Sequence, residues 1–182
     1  MASALLLFAS CGHSPKTSAN EPQTVAEETV ETEPVEAGEE DQAGEQYIDI
    51  TLPGTDGKTF SVSDYVANNR LTLIDFWASW CGPCRAEMPY VIKTYNDFHG
   101  RGLEIVGVSL DNDREAWINA IRGMQLMWPQ MSDLKGWECA GAVAYEVQSI
   151  PANVLVDQQG HVVGRDLRGD ELYNRVKDLL TD

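Results

Sequence analysis

Hydrophobic and polar residues follow strand-like patterns over much of the chain from Tyr47 onward. They alternate in Y-I-D-I-T-L and again in T-F-S-V, and P-G-T-D-G-K between them has the composition of a turn, which predicts a β-hairpin. Residues 71–78 (L-T-L-I-D-F-W-A) and 103–110 (L-E-I-V-G-V-S-L) are almost continuously apolar, which is typical of strands buried on both faces of a sheet. Near the C-terminus, N-V-L-V-D, a Q-Q-G turn and H-V-V-G-R-D-L predict an antiparallel strand pair.

Segments with helical spacing separate these strands. Residues 84–98 and 170–180 have this spacing, and the second of them carries its leucines and valine on one stripe. Asn112, with Glu115 three residues later, resembles a capping box that begins a helix through Arg122. Residues 140–145 predict a shorter helix. Strands that alternate with helices in this way predict an α/β fold in which a mixed β-sheet is flanked by helices.

The segment 12–46 differs in composition from everything after it. It holds ten Asp or Glu and one Lys, and it has no aromatic residue. Such a segment buries too little apolar surface to offset the entropy of ordering, so we predict a disordered tether, with an acidic interaction tail as the alternative. The whole chain has a formal charge of −16 and no Lys/Arg cluster, which argues against nucleic acid as a partner.

The first 11 residues have the pattern of an export signal. The run A-L-L-L-F-A-S-C-G is shorter than the about 20 apolar residues that span a bilayer, but it suits the end of a secretory signal. L-F-A-S-C resembles the bacterial lipobox, although Phe8 stands where Leu is usual and no Lys or Arg precedes Cys11. The resemblance implies a lipid anchor on Cys11 and a location in the bacterial periplasm or cell envelope. An unlipidated leader is the alternative.

Two of the four cysteines stand two residues apart in W-A-S-W-C-G-P-C-R, directly behind the first buried strand. A strand that leads into a helix here puts Cys81 at the helix N-terminus, where free N–H groups and the helix dipole favour a thiolate. Cys84 lies one turn further along the same face and can form a disulfide with Cys81. The pair predicts redox chemistry. A zinc half-site and an inert crosslink are alternatives, although no second ligand pair has zinc spacing.

The stretch F-W-A-S-W-C-G-P-C-R resembles the active site of the thioredoxin superfamily, over a similarity that covers residues 47–182. The resemblance implies that Asp75, six residues before Cys81, is a buried carboxylate that helps to deprotonate the resolving Cys84. It also implies that Pro151 follows a cis peptide bond beside the disulfide. A solvent-facing Asp75 and a trans proline are the alternatives.

The hairpin, the run D-F-W-A-S-W-C-G-P-C-R-A-E-M-P and a helical insert before Ile150 resemble the membrane-tethered branch typified by TlpA and ResA. The P-x-x-x-T-x-x-C context of the peroxiredoxins is absent. The branch implies an extracytoplasmic thiol-disulfide oxidoreductase that reduces protein disulfides, with apocytochrome c as one client and a membrane thiol protein as electron donor. It implies no cofactor and no metal.

Two other functions stay open at this point. One is a disulfide oxidase or isomerase, and the other is a tethered binding or chaperone module that does not use its thiols. Cys139 is predicted to be a buried small hydrophobe, with a second resolving cysteine as the alternative. The predicted organisation is a signal and lipobox segment at 1–11, a tether at 12–46 and a thioredoxin-like domain at 47–182.

Overall fold

A computed structural model describes residues 44–181 of the 182-residue chain. The predicted signal segment with Cys11, and the predicted tether as far as residue 43, lie outside the described residues.

Seven strands and five α-helices make up the described part, with short 3-10 turns at His99–Arg101 and Gly136–Glu138. The strands are β1 (Thr51–Pro53), β2 (Thr59–Ser61), β3 (Leu71–Trp77), β4 (Leu103–Ser109), β5 (Gln130–Met131), β6 (Ala152–Asp157) and β7 (Val162–Arg165). The helices are α1 (Ser63–Val66), α2 (Gly82–Phe98), α3 (Arg114–Met124), α4 (Ala140–Ala144) and α5 (Gly169–Leu180).

Five of the strands form the central sheet, in the order β5-β4-β3-β6-β7. β4 runs parallel to β3 and β5, whereas β6 runs antiparallel to β3 and β7. Every residue of β3 and β4 is buried, as their continuous apolar sequence predicts. This mixed sheet with its flanking helices confirms the predicted α/β fold. β1 and β2 pair antiparallel in the segment where the hairpin is predicted.

The helices bury the apolar faces that their spacing predicts. α2 and α5 pack against each other, and Leu172, Val176 and Leu180 of α5 are buried. Trp117 of α3 belongs to the same core as the strands. Burial of one such large side chain contributes about 1.5–3 kcal/mol, so these faces hold the helices against the sheet.

Two details of the sequence-based prediction are wrong. The N-cap of α3 is Asp113 and not Asn112, because the Asp113 carboxylate accepts the N–H groups of Glu115 at 2.8 Å and Ala116 at 3.0 Å. β5 is not predicted at all, since a two-residue strand has no alternation to detect. It exists because Gln130 and Met131 pair with the edge of β4.

Ordered contacts begin before the predicted domain boundary at Tyr47. The carbonyl of Glu45 accepts the N–H of Val162 at 2.7 Å, and Gln46 forms a bridge with His161. The Glu45 carboxylate also pairs with the Arg165 guanidinium. These residues belong to the folded domain because they lie along the edge strand β7. Within residues 44–181, no helix has the length and apolarity needed to cross a bilayer.

Candidate active site

The start of α2 positions both cysteines of the C-G-P-C stretch. Cys81 is the N-cap, with an extended backbone, and Pro83 lies in the first turn, where its missing N–H leaves no bond unmade. The two sulfurs are bonded, with Cα atoms 5.3 Å apart, so the site is described in its disulfide form. The Cys84 N–H points at the Cys81 Sγ over 3.1 Å. The same N–H would stabilise a thiolate at Cys81 once the disulfide is reduced.

The two cysteines differ in access as well as in position. Cys81 is 5% exposed to solvent, and Cys84 is 1% exposed. Gly82 and Pro83 between them are exposed, and so is Trp80 before them. A partner's sulfur therefore meets Cys81 before Cys84.

A buried carboxylate holds the loop that leads into Cys81. Asp111, which is 1% exposed, accepts the Ser79 N–H at 3.0 Å, the Ser79 hydroxyl at 2.5 Å and the Ser109 hydroxyl at 2.7 Å. Charge-assisted bonds of this kind are stronger than neutral ones, so they restrain the residue two positions before the cysteine. Sequence reasoning missed Asp111. The available signal was that Ser79 and Asp111 follow neighbouring parallel strands, whose carboxyl ends meet at one edge of the sheet.

The Ile150–Pro151 peptide bond is cis, as the resemblance implies. The Ile150 carbonyl oxygen lies 3.7 Å from the Cys81 Sγ, so this loop borders the disulfide directly. A cavity of about 310 Å³ adjoins it, with Pro151, Phe76 and Tyr145 in its wall.

Asp75 is buried in β3, between Gly107 of β4 and Asn153 of β6. It is 3% exposed, which excludes the solvent-facing alternative, and its Oδ2 atom has no hydrogen-bond partner among the described residues. Burial raises the pKa of Asp75 from 3.8 to about 7, against an opposing effect of the Arg168 charge. The carboxyl group can therefore take up or release a proton near neutral pH.

Two charged residues that sequence reasoning missed connect the parts of the site. Arg168 donates hydrogen bonds to the carbonyls of Pro151 and Leu167, and its charge acts on Asp75. Glu87 accepts the Gly169 N–H at 2.6 Å, and its negative charge adds to the rise in the pKa of Asp75. Glu87 could have been found, because it lies one turn beyond Cys84 on α2. Arg168 could not, since it is 84 residues further along the chain than the second cysteine.

The third cysteine of the described part, Cys139, is fully buried and forms no disulfide within residues 44–181, and burial raises the pKa of its thiol. This is the environment predicted for a small hydrophobe. Residues 44–181 contain no group of three or more His, Cys, Asp or Glu side chains that could hold a metal ion.

The segment that contains all seven described strands and the C-G-P-C turn identifies the family of this chain. Residues 43–165 match the model of the AhpC/TSA family, which is more than half of the chain. The chain belongs to the AhpC/TSA family. Among curated relatives, the thiol-disulfide oxidoreductase ResA of Bacillus cereus (strain ZK / E33L) is 30% identical over 139 residues, or 76% of this chain and 77% of that protein. ResA of Bacillus subtilis (strain 168) is 30% identical over 66% of this chain and 64% of its own.

Solved structures agree with this assignment. The thioredoxin domain of a thiol-disulfide oxidoreductase from Bacteroides vulgatus has a TM-score of 0.69 and 36% identity, and the match covers 76% of this chain and 97% of that domain. A thiol-disulfide oxidoreductase from Bacteroides fragilis has a TM-score of 0.69 and 32% identity over 75% of this chain and 100% of its own. The protein is thus a thiol-disulfide oxidoreductase with a thioredoxin-like fold, and its Cys81–Cys84 pair fits the dithiol motif.

Proposed function

We propose that this oxidoreductase reduces protein disulfides through a Cys81/Cys84 dithiol, outside the cytosol and from a lipid anchor on Cys11. The observation that carries the proposal is the position of the Cys81 Sγ at the N-terminus of α2, where the Cys84 N–H points at it. A thiolate held there is the attacking form in thiol–disulfide exchange.

The reaction takes place in two exchanges. The Cys81 thiolate attacks one sulfur of the client disulfide, a bond forms between the two sulfurs, and the second client sulfur leaves as a thiolate. Cys84 gives its proton to the Asp75 carboxylate and attacks the Cys81 Sγ, which closes the Cys81–Cys84 disulfide and releases the first client sulfur. Two electrons pass from the dithiol to the client. A membrane thiol protein then returns two electrons to the enzyme.

A pKa of about 7 suits Asp75 to the second exchange. The group is a weak enough acid to hold the proton it receives, and both its ionised and its protonated form are populated near neutral pH. Pro151, whose neighbouring carbonyl borders the Cys81 Sγ, would shape the position at which the client backbone lies.

The location and the clients rest on similarity. The L-F-A-S-C stretch supports lipidation of Cys11, and the likeness to ResA proteins supports an extracytoplasmic site of action. Clients are disulfide-bonded proteins, with apocytochrome c proposed by analogy with the ResA branch.

Reduction of insulin disulfides by the purified chain tests the proposal. Cys81→Ser should abolish turnover, because the attacking sulfur is gone. Cys139→Ala removes a buried thiol that forms no disulfide within residues 44–181, so this variant should retain turnover. Insulin reduction by Cys81→Ser at the wild-type rate would contradict the proposed role. The reduction potential of the pair tests the direction: a value close to the about −270 mV of thioredoxin supports a reductant, and one close to the about −120 mV of DsbA assigns an oxidase.

A further inference from the structure

Three large apolar side chains are exposed, and the first of them, Trp80, is the neighbour of Cys81 in the chain. Trp80 is 53% exposed, Trp137 is 49% exposed and Val143 is 62% exposed. The two indole rings are tilted against each other with centroids 6.3 Å apart, and Trp80 immediately precedes Cys81. We name Trp80, Trp137 and Val143 the aromatic shelf. Soluble proteins rarely leave such side chains clustered in water without a binding function.

Hydrogen bonds and a buried side chain attach the segment that carries Trp137 to the rest of the domain. The Ser132 hydroxyl donates to the carbonyl of Ser109 at the end of β4, at 2.9 Å. The Asp133 carboxylate accepts the N–H of Ala140 at 3.1 Å, and the neighbouring Cys139 is fully buried. The backbone that carries Trp137 is therefore anchored on both sides of this residue. A preorganised aromatic side chain loses little conformational entropy when it is covered by a partner.

The shelf is continuous with the surface that a client has to cover. A groove of about 750 Å³ contains Trp137 and Val143 in its wall and extends to residues 146–148. Residues 146–148 also line the cavity beside Pro151. A client sulfur that reaches the Cys81 Sγ brings the residues next to it close to Trp80, which precedes Cys81 in the chain and contacts Trp137.

We infer that the aromatic shelf binds the client segment next to the reacting cysteine, and that it selects segments with a bulky apolar side chain there. The inference rests on the proposed function, because it names the substrate class for that same site. Tryptophans dominate binding energy at interfaces when they pack against apolar partners and exclude water. Glu138 and Glu146 are the carboxylates nearest in sequence to Trp137 and Val143, and neither forms an ion pair within residues 44–181. Their uncompensated negative charges would repel an acidic client segment.

Two disulfide-linked peptide dimers test the inference with the reduced full chain. They differ only in the residue beside the cysteine, which is Trp in one dimer and Gly in the other. The wild-type chain should reduce the Trp dimer with a kcat/KM about tenfold above that of the Gly dimer, which corresponds to about 1.4 kcal/mol. Trp137→Ala and Trp137→Gln should bring the ratio close to one. Trp137→Phe keeps an aromatic ring and should retain most of the preference.

Met127→Ala is the matched control, because Met127 is a large apolar side chain that is 76% exposed and lies outside the shelf. It should keep both the rates and the ratio of the wild-type chain. Equal kcat/KM values for the two dimers in the wild type, or a ratio unchanged in Trp137→Ala and Trp137→Gln, would overturn the role of the shelf and leave the proposed function in place. If the wild-type chain reduced neither dimer, nor insulin, the proposed function itself would be wrong.

Discussion

Replacement of Asp75 by Asn should stabilise the protein at alkaline pH and have a much smaller effect at acid pH. Asp75 lies buried in the middle of β3, and its Oδ2 atom has no hydrogen-bond partner among the described residues. An ionised carboxylate in such a place opposes folding because it loses its hydration. Asn keeps the shape of the side chain and removes the charge.

The size of the effect follows from the pKa of Asp75, which burial raises from 3.8 to about 7. A difference of about three units, at 1.36 kcal/mol per unit, corresponds to roughly 4 kcal/mol. Below pH 3.8 the carboxyl group is protonated in both the folded and the unfolded chain and contributes nothing. As the pH rises from 3.8 to 7 the unfolded chain ionises first, so the stability of the wild type falls. Above pH 7 the loss is complete.

Urea unfolding of the oxidised full chain at pH 4.5 and pH 8 measures this difference. The free energy of unfolding of Asp75→Asn, relative to wild type, should be greater at pH 8 by roughly 3 kcal/mol, with unchanged m-values. Asp178→Asn, which alters an exposed carboxylate on α5, should differ little from wild type at either pH. An Asp75→Asn advantage of the same size at both pH values would refute the argument from burial.

The same variant separates stability from catalysis. An amide cannot accept the proton of Cys84, so mixed disulfides between Cys81 and a model substrate should accumulate during turnover. Overlapping stopped-flow traces for the wild type and Asp75→Asn would make Asp75 a structural residue only.

Three further predictions concern the cysteines and the loop before them. In the reduced protein, Cys81 should react with iodoacetamide well below the pH of about 8.5 at which a free thiol is half ionised, and Cys84 should react slowly; equal rates by mass spectrometry would contradict the assigned order. Asp111→Ala leaves the hydroxyls of Ser79 and Ser109 and the partly buried N–H of Ser79 without their acceptor, so it should lower the free energy of unfolding by about 1–3 kcal/mol and slow insulin reduction. An unchanged urea midpoint would count against this. Cys11→Ala should move the protein from the membrane to the soluble fraction while insulin reduction by the purified chain persists; a wild-type chain already in the soluble fraction would refute the anchor alone.

The sequence by itself determined the parts of the site that lie close together along the chain. The buried strand β3, the N-cap position of Cys81 and the first turn of α2 all follow from the 14 residues 71–84, because apolar periodicity and helix-start residues report local backbone structure. The burial of Asp75 agrees with the almost continuously apolar sequence of β3, which predicts a strand covered on both faces, and with the resemblance to thioredoxins. The cis bond at Pro151 came from the resemblance to a family and not from any local pattern.

Only the tertiary structure decided which distant residues meet. Asp111 holds Ser79 across 32 positions, Arg168 reaches the carbonyl of Pro151, and Trp137 stands against Trp80. No periodicity connects these pairs, because each depends on how separate strands, turns and helices pack rather than on the conformation of either partner. The two-residue strand β5 has the same origin, since its backbone is extended only where the edge of β4 offers it hydrogen bonds. Local pattern specifies an element and its buried face, whereas the contacts between elements are set when those faces pack into one core.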